Sequence, residues 1–290
     1  PADAQAGADR ILSRVVAKAS LGGMVRLTIE ISGWRGAAPG QFALLQAEPS
    51  RCFLARALSV SNEGGEQVSF LIAPLGEGTR ELCALAKGDG VWVLGPLGRG
   101  FDVDALVTSP GRAVLVAGGT GVAPFPLLLA RMAERYRALF PEPRGEEPGS
   151  PVAACPEVLV LLGFRDGAQF AASAPVREAA LALGQSGLRC RLEAAVEDGS
   201  HGPAELVTDL LARHLQPGDR LAVCGPDAMA AAVWQVCSRV ADLETWFSLE
   251  TKMACGVGSC HGCVITLADG SAARVCHEGP VFGGKEVFGG

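Results

Sequence analysis

The sequence of 290 residues has no surplus of positive charge: 25 Lys and Arg stand against 31 Asp and Glu, a formal net charge of −6. Nucleic acids and acidic lipid surfaces are held through a basic footprint, and nothing in this composition offers one. An apolar leader is also missing. The opening stretch "PADAQAGADRILSRVV" contains no uninterrupted hydrophobic core of the signal-peptide kind, which argues against secretion. The sequence also lacks a hydrophobic run suited to a membrane span. Residues 113–130, "AVLVAGGTGVAPFPLLLA", hold no charge over eighteen positions, but Gly118, Gly119, Gly121, Pro124 and Pro126 would break a uniform helix there. A buried strand, a glycine turn and the start of an apolar helix fit better. There is no internal repeat and no long low-complexity tract.

Ten cysteines are present, without the even scatter of a disulfide framework. Four lie within residues 255–276, while Cys52, Cys83, Cys155, Cys190, Cys224 and Cys237 stand singly in apolar segments. That distribution suits a reducing cytoplasm, with one cysteine-rich site and six thiols used mainly for packing. Hydrophobic residues make up 49% and charged residues 19%, ordinary for a globular chain long enough for two domains and a small third module.

The fold class expected is multidomain, β followed by α/β. Over residues 10–105 short alternating segments such as "MVRLTIEI" (24–31), "EQVSFLIA" (66–73) and "GDGVWVLGPLG" (88–98) predict an antiparallel β-barrel, interrupted by a helix at 78–86. Over 106–240 continuous apolar strands at 112–119, 157–164, 188–197 and 219–225 alternate with helices at 122–140, 205–215 and 226–240. That alternation predicts a doubly wound parallel-sheet nucleotide domain. Residues 141–156 read as an exposed loop, and residues 241–290 as a small C-terminal module carrying the cysteines.

The cysteine spacing is Cys255-x4-Cys260-x2-Cys263-x12-Cys276. Zinc ribbons use two tight C-x2-C knuckles, and only one is present, although zinc stays the alternative reading. The plant-type spacing for a [2Fe–2S] cluster is C-x4-C-x2-C with a distant fourth cysteine, and this matches. Gly256, Gly258 and Gly262 let the loop curl and bring N–H groups toward sulfur. His261 lies inside the motif, but four cysteines complete the ligand set without it, so it is expected to point outward.

Two strand-to-helix turns qualify as nucleotide sites. "VAGGTGVAP" (116–124) offers Gly118, Gly119 and Gly121 for a close backbone approach to a pyrophosphate, or simply for a tight turn. "CGPDAM" (224–229) ends the fourth strand at the edge where doubly wound sheets bind ligands. Cys224 there can be both a buried thiol and a neighbour of the nicotinamide. In the barrel, Arg56 precedes Ser59 by three residues, and Gly76, Gly78 and Thr79 open a helix, an arrangement able to hold a flavin and its pyrophosphate. Arg56 alone would be an ordinary surface ion-pair residue.

Taken in order, Arg56-x-x-Ser59, Gly76-x-Gly78-Thr79, "VLGPLGRGF" (93–101), "GGTGVAP", "CGP" and the cysteine loop resemble the ferredoxin–NADP reductase-like electron-transfer proteins. More narrowly, "GPLGRGF", "EDGSHGPAELVTDLL" (197–211), "MACGVGSCHGCV" and "RVCHEGPVF" (274–282) resemble the electron-transfer subunits of class B dihydroorotate dehydrogenases. The resemblance implies bound FAD, one [2Fe–2S] cluster, NAD as the nicotinamide, and an FMN-containing catalytic partner that oxidises dihydroorotate in pyrimidine biosynthesis. Electrons would pass from FMN through the cluster to FAD and leave as a hydride to NAD+. It also implies flavin contacts from Arg56, Leu58 and Ser59, pyrophosphate contacts from Gly78 and Thr79, and a nicotinamide site along Gly119, Gly121, Cys224, Gly225 and Pro226. Leu58 stands where many relatives of the wider superfamily have an aromatic residue, and Ala57 where proline is common. A nicotinamide exchanges two electrons at once and a cluster one, so a flavin must lie between them, and the hydride step needs no acid–base residue. The alternatives are a reductase subunit serving another oxidoreductase or a hydrogenase, and a redox sensor that turns nothing over.

Overall fold

The computed structural model describes residues 9–108, 111–140 and 157–289. The expected loop at 141–156 lies outside them. Six strands, β1 (Ile11–Leu21), β2 (Met24–Glu30), β3 (Phe42–Glu48), β4 (Arg56–Gly64), β5 (Gln67–Ile72) and β6 (Gly90–Leu97), close into an antiparallel barrel in the order β1-β2-β5-β4-β3-β6. Alternation drives the closure: in β2, Leu27 and Ile29 point into the barrel while Glu30 is exposed. Their inward partners include Val60, Phe70, Ile72, Val91 and Val93, and helix α1 (Glu77–Ala84) adds Leu82 to the same core.

After α2 (Val103–Thr108) comes a second sheet. Its parallel strands are β7 (Ala113–Gly118), β8 (Glu157–Phe164), β9 (Arg189–Val196), β10 (Arg220–Cys224) and β11 (Glu244–Ser248). Helices α3 (Phe125–Leu139), α4 (Gly167–Phe170), α5 (Ala174–Gly184), α6 (Val207–His214) and α7 (Asp227–Cys237) connect them. β7 is buried along its whole length, and its residues alternate between two cores. Leu115 and Ala117 pack with α3 and α5, whereas Val114 and Val116 pack with α6 and α7.

The sheet order is β14-β11-β10-β7-β8-β9, with β14 (Val281–Gly283) antiparallel to β11. The expected division at 240/241 therefore does not coincide with a break in the sheet. β11 continues the parallel layer, and the chain returns to the same layer after the cysteines. Between these two strands lie only the hairpin β12 (Val264–Thr266) and β13 (Ala272–Arg274) and the cysteine loop. The tail beyond residue 283, for which the sequence supplies no reading, forms helix α8 (Gly284–Phe288). Phe288 stacks on Trp234 at 5.7 Å between ring centres and meets Phe247 edge-on at 5.0 Å.

The cysteine module sits on the barrel. Phe42, Leu44 and Leu97 of the barrel share one apolar cluster with Cys263, Val275, Cys276 and Phe282. Among the described residues no helix is long and apolar enough to cross a membrane.

Candidate functional site

Strands β7 and β10 are neighbours, and from them the connections run outward in opposite directions, to β8 and β9 on one side and β11 on the other. Such a switch point leaves a crevice at the carboxyl ends of the two strands. The Gly118–Thr120 turn and the Cys224–Pro226 turn form its lips. Gly121 makes the crevice narrow: a Cβ there would lie 2.1 Å from the Cys224 carbonyl oxygen and 2.6 Å from the Gly225 nitrogen.

Two adjoining clefts meet at this point. The smaller, of about 230 Å³, lies between barrel and sheet and is lined by Leu58, Ser59, Thr79, Cys224, Glu250 and Met253, among others. The larger, of about 610 Å³, shares Ala73, Leu75 and Thr120 with it and continues past Gly118, Gly119, Arg165, Glu197, Glu205 and Pro226. The structure thus gathers residues from distant parts of the sequence. Leu58, Ser59, Thr79 and Cys224 line the smaller cleft, and Gly118, Gly119 and Pro226 the larger.

Several expected contact residues have other roles. Gly121 and Gly225 line neither cleft; Gly121 lies against the end of β10, and Gly225 against Met229 and the Gly118 nitrogen. Arg56, Gly76 and Gly78 also line neither cleft, although their neighbour Thr79 lines the smaller one. Thr79 Oγ1 accepts from the Gly76 nitrogen at 2.9 Å and caps α1. The Arg56 guanidinium lies across Gly78 and donates to the Leu54 carbonyl at 2.9 Å, which holds a cation beside the start of α1. Asp166, next to Arg165, does not face the cleft as a counter-charge. Its Oδ1 accepts from the Gln169 nitrogen at 2.8 Å and caps α4.

Burial pushes the Cys224 thiol up to about 12, so it is neutral and its role is to pack. Sequence reading assigns no carboxyl to this cleft, yet Glu250 lines it, just beyond the end of β11. Burial raises the Glu250 carboxyl above its ordinary value, and the charge of Asp227 adds to this, while a hydrogen bond with the Thr120 side chain opposes it. No local motif marks Glu250; only the placement of β11 beside β10 brings it to Cys224. A carboxyl with a raised folded pKa favours the fold at low pH, and that contribution is lost as pH rises through the raised value. Glu250→Gln is therefore expected to raise the melting temperature above that pKa and to leave it unchanged below the ordinary value of 4.5. Equal shifts on both sides, in thermal melts across pH, would refute the buried-carboxyl assignment.

The four clustered cysteines form two pairs. The Cys260 nitrogen donates to Cys255 Sγ at 3.4 Å, and the Cys276 nitrogen to Cys263 Sγ at 3.4 Å. Gly258 donates to Cys276 Sγ at 3.2 Å and Gly262 to Cys260 Sγ at 3.4 Å, so every sulfur of the four accepts a backbone N–H. Cys263 and Cys276 are buried, whereas Cys260 is exposed. Burial acts to raise Cys255, but amide bonds from Cys260, Val257 and Ser259 outweigh it and bring the thiol to about 7. Burial and the bond with Cys263 push Cys276 up to about 12.

Among the described residues no three His, Cys, Asp or Glu side chains group to hold a single metal ion. Two cysteine pairs in a cradle of N–H donors fit a two-iron cluster, which takes two protein ligands on each iron. His261 is exposed and has φ +57°.

Comparison with known proteins agrees with this geometry. Residues 250–288 match the family described as the iron-sulfur cluster binding domain of dihydroorotate dehydrogenase B, and residues 115–235 the oxidoreductase NAD-binding domain. The electron transfer subunit of dihydroorotate dehydrogenase B (NAD(+)) from Listeria monocytogenes serovar 1/2a is 32% identical over 256 residues, covering 87% of this chain and 88% of that protein. The subunit of the same name from Clostridium perfringens is 32% identical over 248 residues, covering 86% of each. Among solved structures, one of an NADH-dependent reduced ferredoxin-NADP oxidoreductase, described in connection with flavin-based electron bifurcation, has a TM-score of 0.73 at 24% identity. It covers 97% of this chain and 91% of that one. A ferredoxin NADP+ reductase from Neisseria gonorrhoeae with bound FAD and NADP has a TM-score of 0.62 at 14% identity, covering 84% of this chain and 100% of that one. With its barrel, its switch-point crevice and its paired cysteines, the chain belongs to the family of dihydroorotate dehydrogenase B electron transfer subunits.

Proposed function

We propose that this chain relays electrons between NAD(H) and a partner flavoenzyme, through FAD and a [2Fe–2S] cluster. The flavin ring is assigned to the smaller cleft, against Leu58 and Ser59, with the FAD phosphates toward Arg56, Gly76, Gly78 and Thr79. The nicotinamide is assigned to the crevice, along Gly118, Gly119 and the Cys224–Pro226 turn. Cys255 and Cys260 are the proposed ligands of one iron, Cys263 and Cys276 of the other. When bound, the flavin exchanges hydride equivalents on one side and single electrons on the other. The chain's own residues orient the rings, keep Cys224 as an inert thiol below them, and exclude water with Phe42, Leu58 and Met253.

One observation carries this reading. Ser248, Leu249, Glu250, Thr251 and Met253 line the flavin cleft, and the same segment runs straight into Cys255. The two redox sites are thus joined by covalent continuity. Glu197 and Glu205 share the larger cleft with Arg165. Glu205 is already held by Arg213 at 2.7 Å, so it is the Glu197 carboxylate that opposes the added charge of a 2′-phosphate and supports NAD over NADP.

The partner is proposed to be an FMN-containing subunit that oxidises dihydroorotate, joined to this chain in a hetero-oligomer. Purified chain with FAD and iron is expected to confer NAD+ reduction on such a subunit when dihydroorotate is supplied. A yellow-brown chain that forms no complex and adds no NAD+-linked activity would favour a different dehydrogenase as partner. A chain that never retains flavin would favour a redox sensor.

A further inference from the structure

We infer that Arg274 and Glu278 form a charge pair that positions the Gly258 turn and sets the midpoint potential at the buried cysteine pair. The inference rests on the cluster assignment above and deepens it. Arg274 Nη1 donates to the Gly258 carbonyl at 3.0 Å. Gly258 in turn gives its own N–H to Cys276 Sγ at 3.2 Å. Gly258 has φ +80°, and a Cβ there would come within 3.0 Å of His277 and 3.2 Å of Arg274 Nη1, so the guanidinium and the imidazole pack directly on this turn.

Glu278 holds the guanidinium from the other side. Its Oε2 accepts from Arg274 Nε at 3.1 Å and from the Arg274 backbone nitrogen at 2.7 Å, and its Oε1 accepts from Nη2 at 2.5 Å. The Glu278 backbone nitrogen donates to the Arg274 carbonyl at 2.9 Å, so the pair closes a tight turn that contains Cys276 itself. His277 Nδ1 lies 3.0 Å from Glu278 Oε1 and 3.3 Å from Arg274 Nη2, completing the set. The Arg274 charge is felt by both buried sulfurs, Cys276 and Cys263.

A cluster gains negative charge on reduction, so a nearby cation and N–H···S bonds favour the reduced form. Arg274 supplies the cation directly and, through the Gly258 carbonyl, steadies one N–H···S bond. Glu278 offsets part of that cation. The two residues therefore act with opposite sign on the potential, although both stabilise the same turn. That opposition separates an electrostatic role from a purely structural one.

The test is an EPR-monitored redox titration of the full FAD-loaded chain and three variants at one pH, after iron content and absorbance have been measured. Arg274→Gln is expected to lower the ratio of reduced to oxidised cluster at fixed potential roughly tenfold, the scale of one unit charge at short range. For a one-electron couple that is a fall of about 59 mV. Glu278→Gln is expected to raise the potential, and Arg274→Lys to stay near the parent. Unmoved potentials, or shifts of the same sign in Arg274→Gln and Glu278→Gln, would overturn the inference. If Arg274→Gln loses its iron, a raised potential in Glu278→Gln beside a parent-like one in Arg274→Lys still supports the inference, and an unmoved or lowered potential in Glu278→Gln overturns it. A parent chain without iron would instead defeat the cluster assignment.

Discussion

A Cys263→Ala chain is expected to lose its iron, from about two atoms per chain to background, while it still binds FAD and reduces an artificial dye with NADH. The reason lies in how the sulfurs are arranged. Cys263 is buried and its sulfur accepts the Cys276 N–H; under the proposed ligand set its removal would strip one iron of half its protein ligands. The barrel cleft and the switch-point crevice do not use this residue, which is why flavin and NADH chemistry should survive. The surrounding apolar seat, Phe42, Leu44, Leu97, Val275 and Phe282, remains to hold the module against the barrel. Iron and acid-labile sulfide analysis beside a dye-reduction assay would check this. Unchanged iron in the variant would remove Cys263 from the ligand set.

The second large effect belongs to Gly121→Ala. The new methyl would lie 2.1 Å from a backbone oxygen and 2.6 Å from a backbone nitrogen, and no flexible side chain is available to move aside. The carboxyl ends of β7 and β10 would have to separate, at a cost of about 3 kcal/mol, the upper part of the range for overpacking. NADH-dependent flavin reduction is expected to fall steeply. FAD retention should change little, because the barrel contributes the other wall. Stopped-flow reduction of the bound flavin would measure the loss, and a parent-like rate with parent-like stability would show that the crevice is not the nicotinamide route.

The contrast between Gly121 and its neighbours shows where sequence reading stops. "GGTGVAP" is compatible with a close approach to a pyrophosphate or with a tight turn, and three glycines in one turn look alike until the partner strand is present. Gly118 and Gly119 open onto the cleft, whereas Gly121 is taken up by the fold itself. The barrel and the first four parallel strands are legible because their apolar residues follow one period over a whole element, as in β2 and β7. β11 is not legible in the same way: "ETWFS" is short and interrupted by polar residues, and only pairing with β10 makes it a strand. Glu250 is hidden for the same reason, since its meaning depends on what β11 is placed beside. The cysteine spacing, by contrast, can be read without the fold for three members of the set, Cys255, Cys260 and Cys263, which lie in one loop, whereas it takes the β12–β13 hairpin to bring Cys276 back to Cys263.

The return of the chain to the sheet has a further consequence. The excursion that carries the cysteines departs after Ser248 and re-enters at Val281, and these two residues are register partners across adjacent strands. Its two feet therefore stand side by side, and a short hairpin could span the gap if residues 249–280 were excised. The barrel and the sheet beneath would keep all their strands. In architectural terms the cysteine segment is a cassette anchored at one seam of the sheet, which on its way out also supplies a wall of the neighbouring cleft and on its way back seats itself on the barrel.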